Sequence, residues 1–402
     1  MDPLTLLIAA AVGLATGLVP GLHVNTLAAL ALATVPLDHD AALALIVVGT
    51  VHTVVGILPA TYLGAPGEDE ALATLPAHQM LQAGRGPEAV RISVWASTLA
   101  MCFVVLALLP VKWILAAPFQ GARLLEAALP WILGGVLALL LSQEPRGRRL
   151  VAAGILMLAG WLGWLAWHWP TRSPWALPGS PLLPLLTGLF ALPTLRHAGT
   201  ARIASQAAPP IRVPARSGQS VMLASSVAAG TAVLPGLTAA VATAIAHAGR
   251  RAEPRTILAS LSAVNTAHHG FALAMLWIVG ATRSGLADAT RGVFQARPWN
   301  GAVPSDLHAV LTVALLATLL GAAGTLALER LARGRLPRVP ARPLHVGALI
   351  LIVATVAALT GPWGLALLAV ATMVGELPLV AGTRRVHLAA CLIGPVLISR
   401  FV

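Results

Sequence analysis

The chain is a succession of apolar runs, each near the length of a bilayer span, parted by short loops that carry arginine. A helix needs roughly 20 apolar residues to cross a membrane. Candidate spans fall near 41–62, 92–114, 124–142, 150–168 and 181–195. A second set falls near 255–280, 305–328, 344–360, 364–382 and 386–401. Only 10% of the 402 residues are charged and 57% are hydrophobic, which leaves too little polar surface to cover a soluble protein. The fold class therefore reads as an all-α polytopic membrane protein. A soluble enzyme, a disordered chain and a disulfide scaffold are excluded. Cys102 and Cys391 both lie in apolar runs and imply neither a disulfide framework nor a zinc site. Met1-Asp2-Pro3 lacks a positive leader region, so the first apolar run is expected to be retained.

The net charge of +12 comes from 26 basic and 14 acidic residues, and every basic residue except Lys112 is arginine. The arginines sit in the loops, where topology explains them without nucleic acid. Loops around Arg85 and Arg91, Glu144 to Arg149, Arg196 to Arg216, Arg250 to Arg255, Arg330 to Arg342 and Arg384-Arg385 hold 19 of them. The other side holds Lys112, Arg123, Arg172, Arg283, Arg291, Arg297 and Arg400. The richer side is expected to be cytoplasmic, in the plasma membrane of a prokaryote.

Two segments do not fit as simple spans. Leu4–Val35 contains Gly17-Leu-Val-Pro20-Gly21, and Ser217–His247 contains Gly230-Thr-Ala-Val-Leu-Pro235-Gly236. At about 31 residues each is too long for one span and short for two. Proline lacks the amide donor and glycine is permissive, so a central Pro-Gly pair breaks a helix. Arg216 and Arg250 flank the second segment on one side, which predicts a re-entrant helical hairpin. A polar patch follows each break. His52-Thr53 lies 32 residues after Pro20, and Asn265 to His269 lies 30 to 34 residues after Pro235. The reading is an inverted-topology repeat, each unit a re-entrant hairpin plus about five transmembrane helices. The first repeat covers 1–195 with hairpin 4–35. A basic cytoplasmic linker covers 196–217, and the second repeat covers 218–402 with hairpin 218–247.

The break at Pro20-Gly21 opens a half-helix whose first N–H groups and positive dipole end favour an anion. His23, Asn25 and Thr26 add side chains at that end, although Asn25 and Thr26 also suit simple capping. Pro235, Gly236 and Thr238 form the counterpart, poorer in side-chain chemistry. His52, Thr53, Asn265, Thr266 and His268 lie inside apolar runs, where polar groups are costly and functional. Interhelical hydrogen bonding is the simpler alternative for each. His268 and His269 are adjacent, so their rings face different ways and no metal pair is expected. Gly64-Ala-Pro-Gly-Glu-Asp-Glu70 reads either as an ordinary exposed loop or as a cation-coupling or gating element, with Glu68 and Asp69 as candidate ligands for a coupling Na⁺ or H⁺. Glu376, beside Gly375 and Pro378, reads as snorkelling to the interface, with a proton carrier as the alternative. The cluster from Trp161 to Trp175 reads as an aromatic belt. P-loop, GxSxG and HExxH motifs do not occur, so an ATP-driven pump or a hydrolase has little support. No cofactor is expected beyond the coupling cation.

These motifs resemble those of the large membrane subunit of tripartite tricarboxylate transporters, the TctA family. Gly17 to Gly21 matches its first G-x-x-P-G motif. Leu63 to Pro76, then Gln79-Met80 and Gly84-Arg-Gly86, looks like its N-I-P-G-x-x-x-x-x-A-x-x-x-x-G-Y-P-M-x-x-x-G segment. Leu234-Pro-Gly236 resembles the second motif, and Ala263-Val-Asn265-Thr-Ala267 sits where the family carries E-A-A-N-N-A. Pro-Gly-Leu-His-Val-Asn looks most like a shorter, mainly archaeal branch. The resemblance implies an inverted-repeat secondary carrier of small carboxylates with cation coupling. It also implies a periplasmic binding protein and a small membrane subunit as partners, and a homo-oligomer is possible. His23 and Asn25 depart from the usual small residues after Pro-Gly. Bacterial polyprenyl-phosphate translocases, with P-G-x-S-G-G-T motifs in paired hairpins, are a second resemblance and make lipid-carrier translocation the alternative function.

Overall fold

The computed structural model describes residues 1–20, 22–34, 36–64, 74–177, 179–197, 204–207, 215–237, 239–247, 253–281, 284–335 and 341–400. Among them there is no strand. The first half supplies α1 (Pro3–Gly17), α2 (Val24–Thr34), α3 (His39–Val55), α4 (Ile57–Tyr62), α5 (Thr74–Gln82) and α6 (Gly86–Leu115). It continues with α7 (Gly121–Ala127), α8 (Leu129–Ser142), α9 (Arg149–Trp167), α10 (Leu182–Leu186) and α11 (Leu192–His197). The second half supplies α12 (Ala215–Thr231), α13 (Ala239–Ala246), α14 (Pro254–Ile278), α15 (Gly285–Phe294), α16 (Ser305–Arg335), α17 (Ala341–Ala381) and α18 (Ala390–Ile398).

Among the described residues the expected spans fall on helical structure, but those at 181–195, 255–280 and 386–401 do not form helices long and apolar enough to count as crossings. Five helices among the described residues are long and apolar enough to cross a membrane: His39–Tyr62, Gly86–Leu115, Arg146–Trp167, Ser305–Arg335 and Arg342–Ala381. The pair α7 and α8, bent by 67°, makes a sixth if it is one broken span. The spans expected at 344–360 and 364–382 run together as α17, interrupted where Gly361 takes φ 66 and ψ −163. That left-handed backbone suits glycine alone, and Pro362 follows it. The chain is thus a multi-pass integral membrane protein. Helices α5 and α15 were not foreseen, because neither carries an apolar run of span length.

Two bundles hold these helices, and each draws on both halves of the chain. In one, α14 lies along α6 and α12, while α16 lies along α3 and α6. Phe271, Ile46 and Met101 are buried at its centre. In the other, α9 packs on α18, and α17 packs on the α10–α11 segment. Lipid tails are as apolar as leucine, so close backbone approach drives such packing. A Cβ on Gly163 would run into the Cys391 backbone, standing 2.7 Å from its Cα. A Cβ on Gly13 would stand 2.7 Å from Val51 Cβ, which puts α1 hard against α3.

Two sets of loop contacts lie at opposite ends of α9. At one end Arg384 N–H donates to Glu144 Oε1 at 2.9 Å, and Arg148 reaches the Gly382 carbonyl. At the other end Trp169 Nε1–H donates to the Trp363 carbonyl at 2.8 Å. In the other bundle Glu88, buried, pairs with Arg85 at 2.7 Å and Arg255 at 2.8 Å, at the starts of α6 and α14. Glu376 does not reach alone to the interface: Arg196 lies 3.3 Å from it and His197 3.4 Å.

Candidate functional site

The first broken pair is α1 and α2. Asp2 caps α1, accepting from Leu4 N–H at 2.8 Å and Thr5 N–H at 3.0 Å, and Pro3 occupies the first turn. The helix ends at Gly17, and the chain turns through 18–20. Val19 N–H donates back to the Thr16 carbonyl at 3.1 Å. His23 then caps α2. Its Nδ1 accepts from Asn25 N–H at 3.0 Å, and its carbonyl accepts from Thr26 and Leu27. An accepting Nδ1 leaves Nε2 as the donor of the neutral ring. Thr26 is buried on the same turn.

Asn25 does more than cap its own helix. Its Oδ1 accepts from Gly285 N–H at 2.8 Å, so it satisfies the first turn of α15. Two helix N-termini therefore meet at one side chain, each with its positive dipole end toward the junction. A Cβ on Gly285 would stand 3.0 Å from Asn25 Oδ1, so only glycine admits this approach without displacement.

His52 on α3 ties the break down. Its Nε2–H donates to the Leu22 carbonyl at 3.1 Å, and its Nδ1 lies 3.3 Å from Thr16 Oγ1. The carbonyl fixes the tautomer, since it only accepts. Gly17 makes this possible: a Cβ there would sit 2.7 Å from the His52 carbonyl and collide with Val55. Thr53 stays out of the cluster, its hydroxyl donating to Gly49 one turn back at 2.9 Å.

The second broken pair is α12 and α13. Thr231 closes α12, donating to the Ala228 carbonyl at 2.9 Å. His268 Nδ1–H donates to the same hydroxyl at 3.1 Å. Pro235 follows, and Gly236 turns the chain at φ 84. Its Cβ position lies 3.2 Å from the Leu392 carbonyl, so the turn backs onto α18. Thr16 and Thr231 each precede their proline by four residues, and each meets a histidine on the next long helix.

His269 points the other way, as adjacency on a helix demands. Its Nε2–H donates to Thr50 Oγ1 at 3.0 Å, while Thr50 donates to Ile46. The contacts Thr16–His52, Thr50–His269 and His268–Thr231 form a polar seam from one break, through α3 and α14, to the other. Thr266, 1% exposed, presents an Oγ1 with no hydrogen-bond partner among the described residues. Asn265 lies half-buried on the same helix. Gly21, Thr238, Glu68 and Asp69 lie outside the described residues.

Sequence reasoning missed Thr16, Thr231, Thr50 and Gly285. The first two were visible as Thr16-Gly-Leu-Val-Pro-Gly-Leu22 beside Thr231-Ala-Val-Leu-Pro-Gly-Leu237. Gly285 had no local signal, since its role depends on Asn25 across the fold.

Fold and site together define a polytopic α-helical membrane protein with a polar seam between two broken helix pairs. The chain belongs to the tripartite tricarboxylate transporter TctA family, whose family model matches residues 4–390. It is also similar to an uncharacterized protein of Methanocaldococcus jannaschii, with 27% identity over 199 residues, 48% of each chain. The chain thus spans about half the length of that curated relative. No solved structure matches it.

Proposed function

We propose that the protein is a secondary active transporter for a small organic anion, a di- or tricarboxylate, coupled to Na⁺ or H⁺. The observation that carries this reading is the junction of the α2 and α15 N-termini at Asn25 and Gly285. Backbone donors and two dipole ends converge there, with the His23 imidazole capping α2 beside them. Such a site suits a carboxylate, and family membership supports transport of tricarboxylates in particular. The family gives the lipid-carrier alternative no support.

In this reading the two broken pairs are re-entrant hairpins of an inverted repeat. The matching Thr–His contacts at both breaks support it, as does the mixing of both halves in each bundle. His52 and His268 position the breaks, while His23 and Asn25 address the anion, with Thr26 behind them. Asn265 and Thr266 supply polar groups from the second half. Glu68 and Asp69 remain the proposed coupling ligands, on their sequence alone. A periplasmic binding protein and a small membrane subunit would be the partners, since the family is that of a tripartite system. The test is uptake of labelled citrate into proteoliposomes under an imposed Na⁺ or H⁺ gradient. Gradient-driven accumulation supports the proposal. Uptake that no gradient accelerates, with partner subunits present, contradicts the coupling.

A further inference from the structure

A separate cavity of about 270 Å³ opens between α6 and α16, lined by Arg91, Val94, Trp95, Leu326, Glu329 and Arg330. The two helices run antiparallel. The far end of α6 places Lys112 over the Trp299 ring at 4.6 Å, just before α16 starts. Arg91 precedes Trp95 by one turn, and Arg330 follows Leu326 by one turn. Antiparallel packing therefore puts both arginines at the outer end of the cavity and both large apolar side chains at the inner end.

Glu329 is the acidic group among the lining residues and is 1% exposed. The Tyr62 hydroxyl donates to its Oε1 at 3.3 Å, and Arg333 Nε lies 3.8 Å away. Two arginines and one carboxylate line the cavity, and Arg333 stands beside that carboxylate, so the mouth carries a net positive charge.

We infer that this cavity binds an anionic phospholipid, its phosphate at Arg91 and Arg330 and an acyl chain against Trp95 and Leu326. The polarity gradient argues for a lipid over free phosphate, which would leave the apolar inner end unused. Anionic headgroups are expected at the arginine-rich loops, where each basic residue near the surface adds to their attraction. This site is distinct from the helix junction at Asn25 and does not depend on what is transported.

The test uses the full-length protein in phosphatidylcholine nanodiscs doped with phosphatidylglycerol, with retained lipid counted by native mass spectrometry. Wild type is expected to enrich phosphatidylglycerol. The double variant Arg91→Gln/Arg330→Gln should lose that preference by on the order of 30-fold, the size set by two such charges. Arg146→Gln, exposed and outside the cavity, should keep it. Leu326→Trp fills the inner end with both arginines intact and should also weaken retention. If the double variant elutes misfolded, the Leu326→Trp result decides alone. No enrichment in wild type, or unchanged retention in Leu326→Trp, overturns the inference. So does displacement by millimolar inorganic phosphate, which would make this a phosphate site without a lipid.

Discussion

His52 donates to the carbonyl of Leu22 at 3.1 Å, across the break between the first two helices. That carbonyl belongs to a turn, so no helix supplies it with a donor. The same ring touches Thr16, and His268 touches Thr231 at the other break. The two contacts differ in consequence. Thr231 keeps its bond to Ala228 without His268, whereas Leu22 loses a donor without His52.

His52→Phe is therefore expected to cost about 1 kcal/mol or more, the penalty of leaving a half-buried acceptor unsatisfied. His268→Phe should cost nearer 0.6 kcal/mol, the usual size of an interhelical bond in a membrane protein. Thermal unfolding in detergent, followed by tryptophan fluorescence, checks the ordering. Equal effects would mean that the Leu22 contact contributes nothing special.

Gly17→Leu should prevent α1 from seating on α3, because its Cβ position already collides with Val55 and the His52 carbonyl. Overpacking of this kind costs about 1–3 kcal/mol. Gly134→Leu is the control, since nothing lies within 4 Å of its Cβ position. A lower melting temperature for Gly17→Leu alone is the expected outcome.

Much of this was legible in the sequence, for reasons that can be located. Span positions followed from apolar runs, because the bilayer leaves the backbone no alternative to helix. The Pro-Gly breaks at 20–21 and 235–236 followed from the chemistry of those two residues. The partners of Asn25 and His269 did not follow, because Gly285 and Thr50 lie 260 and 219 residues away. His23 read as a ligand, yet its Nδ1 caps α2, and only the geometry separates the two uses of one ring.

His78 on α5 supplies a pH prediction. Its Nδ1–H donates to the Thr61 carbonyl at 3.2 Å, and its Nε2 is buried without a partner among the described residues. Burial holds the imidazole below its ordinary value of 6.5. The unfolded chain takes up a proton that the folded chain resists, so stability falls as pH drops through about 6.5. His78→Gln should flatten that part of the curve. Melting temperatures between pH 8 and pH 5 are the measurement, and an unchanged slope would remove His78 from the account.

Topology is open to a direct check. Gly147 lies in the loop that meets Gly382, and Trp363 meets Trp169 at the far end of α9. Single cysteines at Gly147 and Trp363, in a background with Cys102 and Cys391 removed, should react with impermeant maleimide from opposite sides. Reaction from one side for both would overturn the sidedness.

The helix junction at Asn25 is the centre of the functional reading. Calorimetric titration of citrate into purified wild type, His23→Ala and Asn25→Asp tests it most directly. Wild type should bind. His23→Ala should weaken binding about 10- to 100-fold, the worth of one hydrogen bond to a charged group. Asn25→Asp keeps an acceptor for Gly285 and a negative charge favoured by the dipoles, so its melting temperature should hold. That same charge should repel the anion and abolish binding. Citrate binding of equal strength in all three proteins would contradict the assignment of the anion site to this junction.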